Sequence, residues 1–427
     1  MIEIRKPDRM PKMLMSPVSP LPGIHYVPSL YALPFEHEQK HYVFHNLTKQ
    51  CIEGVLPQKA AAGEGYDELI SARFLVPEGQ DECAYYNHIC TLARVLARKK
   101  GHGVYTILPT TGCNARCTYC FEKGMRQDTM TPETVEQVIR YILDTHAGPK
   151  VRLEWFGGEP LVSEGIIDRI CGGLREAGLQ FISYMISNGS LITPRTIQKM
   201  KDDWKLEHIQ ISMDGAEQDY IRRKRYRAYH DYYHQVMENV SRLSEAGIYV
   251  NLRCNVDEEN WDRVPQFLED LAEGVKDKKN VDMHFYPMFE VRHSDGDLPL
   301  WKKIMDARSL IEQAGFDYRP VILDETDFRI YRCKVDSGSV FIWPDGSLYA
   351  CSTIVPDGRY GDIWQGITNE AVREHYTQMH PTREKCRTCP YLANCTPFND
   401  CPITHTNCRQ IYDLLMAELL NYLVEDH

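Results

Sequence analysis

Between residues 104 and 286 the chain alternates short β-branched or aromatic-rich runs with helix-patterned stretches, and this alternation constrains its fold more than any other feature. The runs are 104–109 (VYTILP), 151–156 (VRLEWF), 181–187 (FISYMIS), 207–212 (EHIQIS), 248–256 (IYVNLRCNV) and 281–286 (VDMHFY). β-Branched and aromatic side chains pack well on a pleated surface, so such runs read as strands. Val135, Val138, Ile139 and Ile142 fall at i, i+3, i+4 and i+7, behind Thr131 as N-cap and Pro132 in the first turn. Ile167, Ile170 and Leu174 repeat that stripe, as do Val236, Val240 and Leu243, whose helix Gly247 is placed to end. A sixth helix is expected over 300–315. Strand–helix units in series, joined by right-handed crossovers, build a parallel sheet. The expectation for 100–315 is an α/β fold, a partial (β/α)6 barrel of TIM type, with functional groups at the C-terminal ends of its strands.

The flanks break the pattern. Within 1–99, HYVFHNLTKQCIEGV reads as a hairpin and RFLVPE as a third short strand. Residues 82–98 read as a helix with Tyr85, Ile89, Leu92 and Leu96 on one face, so the unit is expected to be winged-helix-like α+β. Residues 316–427 lose regular periodicity, become rich in cysteine and turns, and end in an amphipathic helix around 409–424.

Composition narrows the function class. Lys and Arg number 49 against 60 Asp and Glu, and the resulting charge of −11 argues against a general nucleic-acid or anionic-membrane binder. No apolar run approaches the roughly 20 residues of a bilayer-spanning helix. The N-terminus lacks the apolar core of a secretory signal, so the expected setting is the cytoplasm. Thiols stay reduced there, and 15 cysteines then point to metal or redox chemistry rather than a disulfide framework. Cys51, Cys83, Cys90, Cys171 and Cys254 are scattered, and core packing is the expected role for free cysteines of this kind.

Cys113, Cys117 and Cys120 form a Cys-x3-Cys-x2-Cys loop directly after the first strand. Three thiolates on one loop can hold three irons of a 4Fe–4S cluster and leave the fourth iron for another ligand. Zinc is the alternative, and it would need a fourth ligand from elsewhere. The stretch TTGCNARCTYCFEKG resembles the radical S-adenosylmethionine (radical SAM) enzymes, whose signature is Cys-x3-Cys-x-aromatic-Cys at this place in a barrel. Further segments follow in that family's order. Phe156-Gly157-Gly158-Glu159-Pro160 looks like the GGEP segment that holds the amino group of S-adenosylmethionine (SAM). Ser187-Asn188-Gly189 falls where the family contacts the ribose, and Ser212-Met213-Asp214-Gly215 resembles the segment near the SAM carboxylate and ribose. Arg253-Cys254-Asn255 matches a frequent RxN pattern, with Asn255 the cofactor-side residue. Tyr119 corresponds to the adenine-stacking aromatic, with core packing as the plain alternative. Within the basic run 222–227, Arg223 is the expected partner of the SAM carboxylate by spacing. The resemblance implies one-electron cleavage of SAM by the reduced cluster and hydrogen abstraction from a substrate by the 5′-deoxyadenosyl radical.

The second cysteine group resembles the SPASM extension of peptide-modifying radical SAM enzymes. Cys333 is followed by Gly346 and Cys351; then come Cys386-x2-Cys389-x5-Cys395, Cys401 and Cys408. The family has three residues before the position of Cys401, where this chain has five. Carried over, Cys333, Cys351 and Cys401 would ligate a first auxiliary 4Fe–4S cluster, and Cys386, Cys389, Cys395 and Cys408 a second. Three 4Fe–4S clusters and SAM are thus the implied cofactors. Zinc ribbons are the alternative for the tail.

The expected function is a maturase of ribosomally made peptides that joins a cysteine sulfur to carbon. Its partners would be a Cys-containing precursor peptide with a leader, gripped by strand addition at 1–99, and an electron donor such as flavodoxin or ferredoxin. The alternatives are an anaerobic sulfatase-maturating dehydrogenase that forms formylglycine, and a non-enzymatic zinc or peptide-binding protein.

Overall fold

A computed structural model describes residues 16–97, 101–228, 231–288, 297–322, 334–351, 357–378, 382–394 and 407–425. The N-terminal part holds β1 (His25–Pro28), β2 (Ala32–His37), β3 (Lys40–His45), β4 (Gln50–Glu53), β5 (Ala60–Ala61), α1 (Asp67–Ser71), β6 (Leu75–Pro77) and α2 (Glu82–Ala97). The expected hairpin is β3–β4, and β2 joins it in a three-stranded antiparallel sheet. The RFLVPE strand, β6, pairs instead with β1 in a second small sheet. Burial explains the choice, because Leu75 and Tyr26 close a separate apolar cluster with Ala60 and Ile70. Helix α2 turns Cys83, Tyr86, Ile89 and Cys90 inward and leaves Tyr85 and Leu92 half-buried, a stripe rotated from the expected one. It packs there against Tyr31, Leu47 and the C-terminal residues Leu392 and Ala393.

All six expected strands of the central part form within two residues of their expected bounds. They are β7 (Val104–Ile107), β8 (Lys150–Trp155), β9 (Gln180–Ser187), β10 (Leu206–Met213), β11 (Tyr249–Val256) and β12 (Val281–Pro287). Between them run α3 (Pro132–Thr145), α4 (Glu164–Glu176), α5 (Pro194–Asp202), α6 (Glu217–Lys224), α7 (Tyr232–Glu245) and α8 (Val264–Gly274). The sixth helix is broken into α9 (Asp297–Asp306) and α10 (Arg308–Gln313). Thr131 caps α3 as expected, its hydroxyl accepting from the Thr134 amide at 3.1 Å. Helix α7 stops ahead of Gly247, whose φ of 79° suits a C-terminal cap.

Neighbouring strands are parallel and follow chain order from β7 to β12. One face is apolar. Leu153, Met185, Ile211, Leu252 and Met283 lie there, fully buried under the inward stripes of the helices. Ile167, Ile170 and Leu174 are completely covered, each contributing about 1.5–3 kcal/mol relative to exposure. The opposite face is mostly polar, carrying Glu154, Ser212, Asn251 and His284 beside Ile182 and Ile186.

The sheet does not stop where the periodicity fades. β13 (Asp317–Tyr318) extends it beside β12, and β14 (Ser339–Ile342) pairs in parallel with β7. β15 (Ser347–Tyr349), β16 (Arg359–Asp362) and β17 (Gly366–Ile367) continue antiparallel from β14 to the far edge. The expected boundary at 315/316 therefore cuts through one 11-stranded sheet. α11 (Glu370–Thr377) and α12 (Cys408–Glu425) complete the chain, α12 burying Ile411, Leu415, Leu419 and Leu423 on one side.

Candidate active site

The C-terminal ends of β7 to β11 converge on the Cys113–Cys120 loop. That loop follows β7 and is pinned from below by the end of β8. Gly157 has a φ of 112°, and a Cβ there would stand 2.4 Å from the Thr110 carbonyl oxygen. A Cβ on Gly158 would stand 2.4 Å from the Gly112 carbonyl oxygen and 2.6 Å from that of Thr111. Only glycines let the two backbones approach this closely. The far side of the loop is held by the end of α6: the Arg116 amide donates to the Lys224 carbonyl at 3.0 Å, and the Thr118 amide to that of Arg223 at 2.9 Å.

Two hydrogen-bonded arrays flank the thiols. In the first, Glu159 is buried and ties β8 to β9, accepting from Ser187 Oγ at 2.9 Å and the Asn188 amide at 2.8 Å. Burial raises its pKa, and these donors pull the other way. Asn188 Nδ2 donates to Asn114 Oδ1 at 2.9 Å, which joins β9 to the cysteine loop. Glu159 thus braces strand ends, and its carboxylate is already engaged.

In the second array, Tyr119 donates its hydroxyl to the Asp214 carboxylate at 2.7 Å. Asn255 Nδ2 donates to Asp214 Oδ1 at 3.0 Å, and Lys224 Nζ donates to Ser212 Oγ at 2.6 Å and to the Tyr119 hydroxyl at 3.2 Å. Lys224 Nζ also lies 3.4 Å from Asp214. The burial of this ammonium would lower its pKa, but Asp214 and the surrounding groups outweigh that and hold it well above the ordinary value. Tyr119 is likewise raised, by burial and then by Asp214.

Arg223 and Lys224, adjacent at the end of α6, face different partners. The Arg223 guanidinium is buried in an ion pair with Asp257 at 2.5 Å, turned toward the end of β11. One residue later, Lys224 faces Ser212, Asp214 and Tyr119. Arg225 then ends the helix in a left-handed conformation, φ 48°. Sequence reasoning missed Lys224 because a run of basic residues does not mark which member the helix end turns inward. It also missed Asn114 and its partner Ser190, whose hydroxyl accepts from Asn114 Nδ2 at 2.8 Å.

The three loop thiols are half-buried. Burial raises all three pKa values, that of Cys113 to about 12. Cys117 and Cys120 both add to the rise at Cys113. Among the described residues, the donors that close within 4.8 Å of one another are the exposed Glu217, Asp231 and His234. The three thiols are more widely spread, which suits a multi-metal cluster better than one zinc ion. Three soft sulfur donors on one loop, with burial raising the pKa of each, fit the ligand set of an iron–sulfur cluster.

In the tail, burial raises the Cys389 pKa, with Cys386 and Cys408 close enough to add to it. Cys351 is half-buried after β15. Cys333, Cys395 and Cys401 lie outside the described residues. Cys51, Cys83, Cys90, Cys171 and Cys254 are all buried in apolar surroundings. No helix among the described residues is long and apolar enough to cross a membrane.

Residues 107–271 match the radical SAM superfamily model. A radical SAM cyclopropyl synthase, TigE, from Paramaledivibacter caminithermalis is 21% identical over 368 residues, covering 77% of this chain and 75% of that protein. The solved structure of anSMEcpe with AdoMet and a Kp18Cys peptide matches with a TM-score of 0.56 at 16% identity, covering 76% of this chain and 99% of that one. Streptococcus suis SuiB bound to S-adenosylmethionine matches with a TM-score of 0.50 at 13% identity, covering 87% of this chain and 94% of that one. The segment 107–271 is thus a radical SAM domain, and the solved structures share its fold. SAM binding and one 4Fe–4S cluster follow from the domain.

Proposed function

We propose that this enzyme matures a ribosomally made peptide, abstracting a hydrogen from one residue and joining a cysteine sulfur to the resulting carbon centre. The observation that carries the reading is the loop of three gathered thiols between two buried polar arrays, backed by a second gathering of Cys386, Cys389 and Cys408. Cys113, Cys117 and Cys120 would hold the cluster, and the Tyr119–Ser212–Asp214–Lys224–Asn255 array would face SAM. When bound, the cluster and SAM supply hydrogen-atom abstraction. Lys224 offers the buried positive charge that a cofactor carboxylate needs, in place of Arg223. Asp214 and Asn255 offer polar atoms to the ribose, and Tyr119 its ring face to the adenine. The β8 and β9 ends keep the loop rigid and shed water from it.

The tail would carry two auxiliary 4Fe–4S clusters on Cys333, Cys351 and Cys401 and on Cys386, Cys389, Cys395 and Cys408. With three protein ligands, the first could accept a substrate thiolate. Among the described residues, the small sheets of residues 25–77 have edges with no strand paired to them, which suit strand addition by a leader, as a winged-helix-like unit would. A flavodoxin or ferredoxin would supply the electron.

The cyclopropyl synthase relative favours a second reading, in which the new bond is carbon–carbon. The test is mass spectrometry of the precursor peptide encoded beside this gene after reaction with the reconstituted, reduced enzyme and SAM. A thioether costs two hydrogens and protects the cysteine from alkylation. A carbon–carbon bond costs two hydrogens but leaves the thiol alkylatable, and formylglycine formation removes the sulfur. An unmodified peptide alongside vigorous SAM cleavage refutes peptide maturation.

A further inference from the structure

On the sheet face opposite the helices, β11 carries Asn251, Arg253 and Asn255, and β12 carries Asp282, His284 and Tyr286. The acids around this wall are committed. Asp282 accepts from Tyr249 at 2.6 Å and from Asn251, and lies 3.6 Å from Arg319. Asp214 is held by Tyr119, Asn255 and Lys224, and Asp257 by Arg223.

Arg253 stands apart from the other cations of the wall. It is half-buried, its Nε donates to Asn255 Oδ1 at 3.2 Å, and its guanidinium lies 4.5 Å from the Tyr286 ring centroid. Among the described residues no carboxylate lies within 4 Å of it. A guanidinium presents five N–H donors in a planar fork shaped for a carboxylate, and partial burial makes unmet donors costly. Asn255 on one side and the Tyr286 ring on the other hold that fork in place before any ligand arrives. Its register partner His284 brings no competing charge, since burial, then Arg253 and Arg319, lower its pKa to about 3.

Position assigns the ligand. Arg253 is two residues before Asn255 on β11, about 7 Å deeper along the strand than the array that would face SAM. The Lys224 ammonium already serves that array. We infer that Arg253 binds a carboxylate of the substrate, so that the peptide carries an Asp or Glu beside its reacting residue. The inference rests on the peptide-maturase reading and deepens it, making Arg253 the residue that selects among peptides.

A random peptide library, displayed in vitro and panned on the SAM-loaded holoenzyme, tests this. Asp or Glu should be enriched over Asn or Gln at one position on the wild type and lose that enrichment on Arg253→Met. The winning peptide should bind Arg253→Met roughly 10- to 100-fold more weakly, the range for a hydrogen bond to a charged group. Its Asp→Asn or Glu→Gln form should lose the same factor on the wild type and little more on the variant. Arg253→Lys should restore part of the preference. Iron content and SAM affinity, measured on each variant, separate the two sources of a carboxylate. If SAM affinity falls as much as peptide affinity, Arg253 serves the cofactor and the inference is overturned. Winners without an acid preference overturn it while leaving peptide maturation intact. If the wild type cleaves SAM but enriches no peptide, both fall.

Discussion

Replacing Lys224 by Met keeps the length of the side chain and removes its ammonium from beside Asp214. The two groups are 1% and 0% exposed and 3.4 Å apart. At an effective dielectric of about 20, charges at that distance attract by about 5 kcal/mol. Tyr119 and Asn255 still hold the carboxylate, so part of the loss is offset, and an unpaired buried charge typically costs about 3–5 kcal/mol. The metal-free Lys224→Met protein should therefore unfold at markedly lower urea. Adding Asp214→Asn should recover much of that loss, because a neutral amide needs no counter-charge. In reconstituted protein, the SAM Kd of Lys224→Met should rise at least about tenfold, the factor that corresponds to 1.4 kcal/mol. A variant with wild-type urea midpoint and wild-type SAM affinity would refute both the charge pairing and the cofactor role.

Other perturbations follow from the same geometry. Gly158→Ala drives a methyl group into the Gly112 and Thr111 carbonyls, so the cysteine loop must shift; the reconstituted variant should lose about four irons per chain by iron assay while the apo fold persists by circular dichroism. Cys389→Ala should also remove about four irons, but SAM cleavage without peptide should continue. Tyr119→Phe deletes the hydroxyl that reaches Asp214 and should cost about 1.5–3 kcal/mol in urea unfolding. Glu418 on α12 has its pKa pushed by burial from an ordinary 4.5 to about 7. A carboxyl raised in the folded state binds its proton more tightly there, so its contribution is full below about pH 4.5 and is lost as pH rises through 7. Glu418→Gln should flatten that slope and stabilise the protein at pH 8 by about 3 kcal/mol, and an unchanged slope would count against the burial.

Much of the central fold was legible because strand and helix periods are local properties. Alternation in VRLEWF or IYVNLRCNV, and the stripe Val135–Val138–Ile142, survive any tertiary context that buries one face. The partners of very short strands are not local. β14 has four residues, and its partner β7 lies more than 200 residues earlier, so nothing near SVFI announces the pairing. RFLVPE was readable as a strand, yet its choice of β1 over the hairpin depended on a small apolar cluster formed from distant residues. At the site, cysteine spacing and the glycine pair carried their own signal. The identity of the buried cation did not, since Arg223 and Lys224 differ only in which way the last turn of α6 rotates them.

The junction of β7 with β14 has a consequence for synthesis. About 235 residues separate Ile107 from its partner Ile342. At roughly 5–20 residues per second, the strand that leads into the cysteine loop waits some 10–50 s on the ribosome with one edge unpaired. Over that interval it is a template for aberrant strand pairing, and the loop above it emerges into the cell long before its sheet is complete. Proteins truncated after residue 315 should remain permanently in that unguarded state and aggregate.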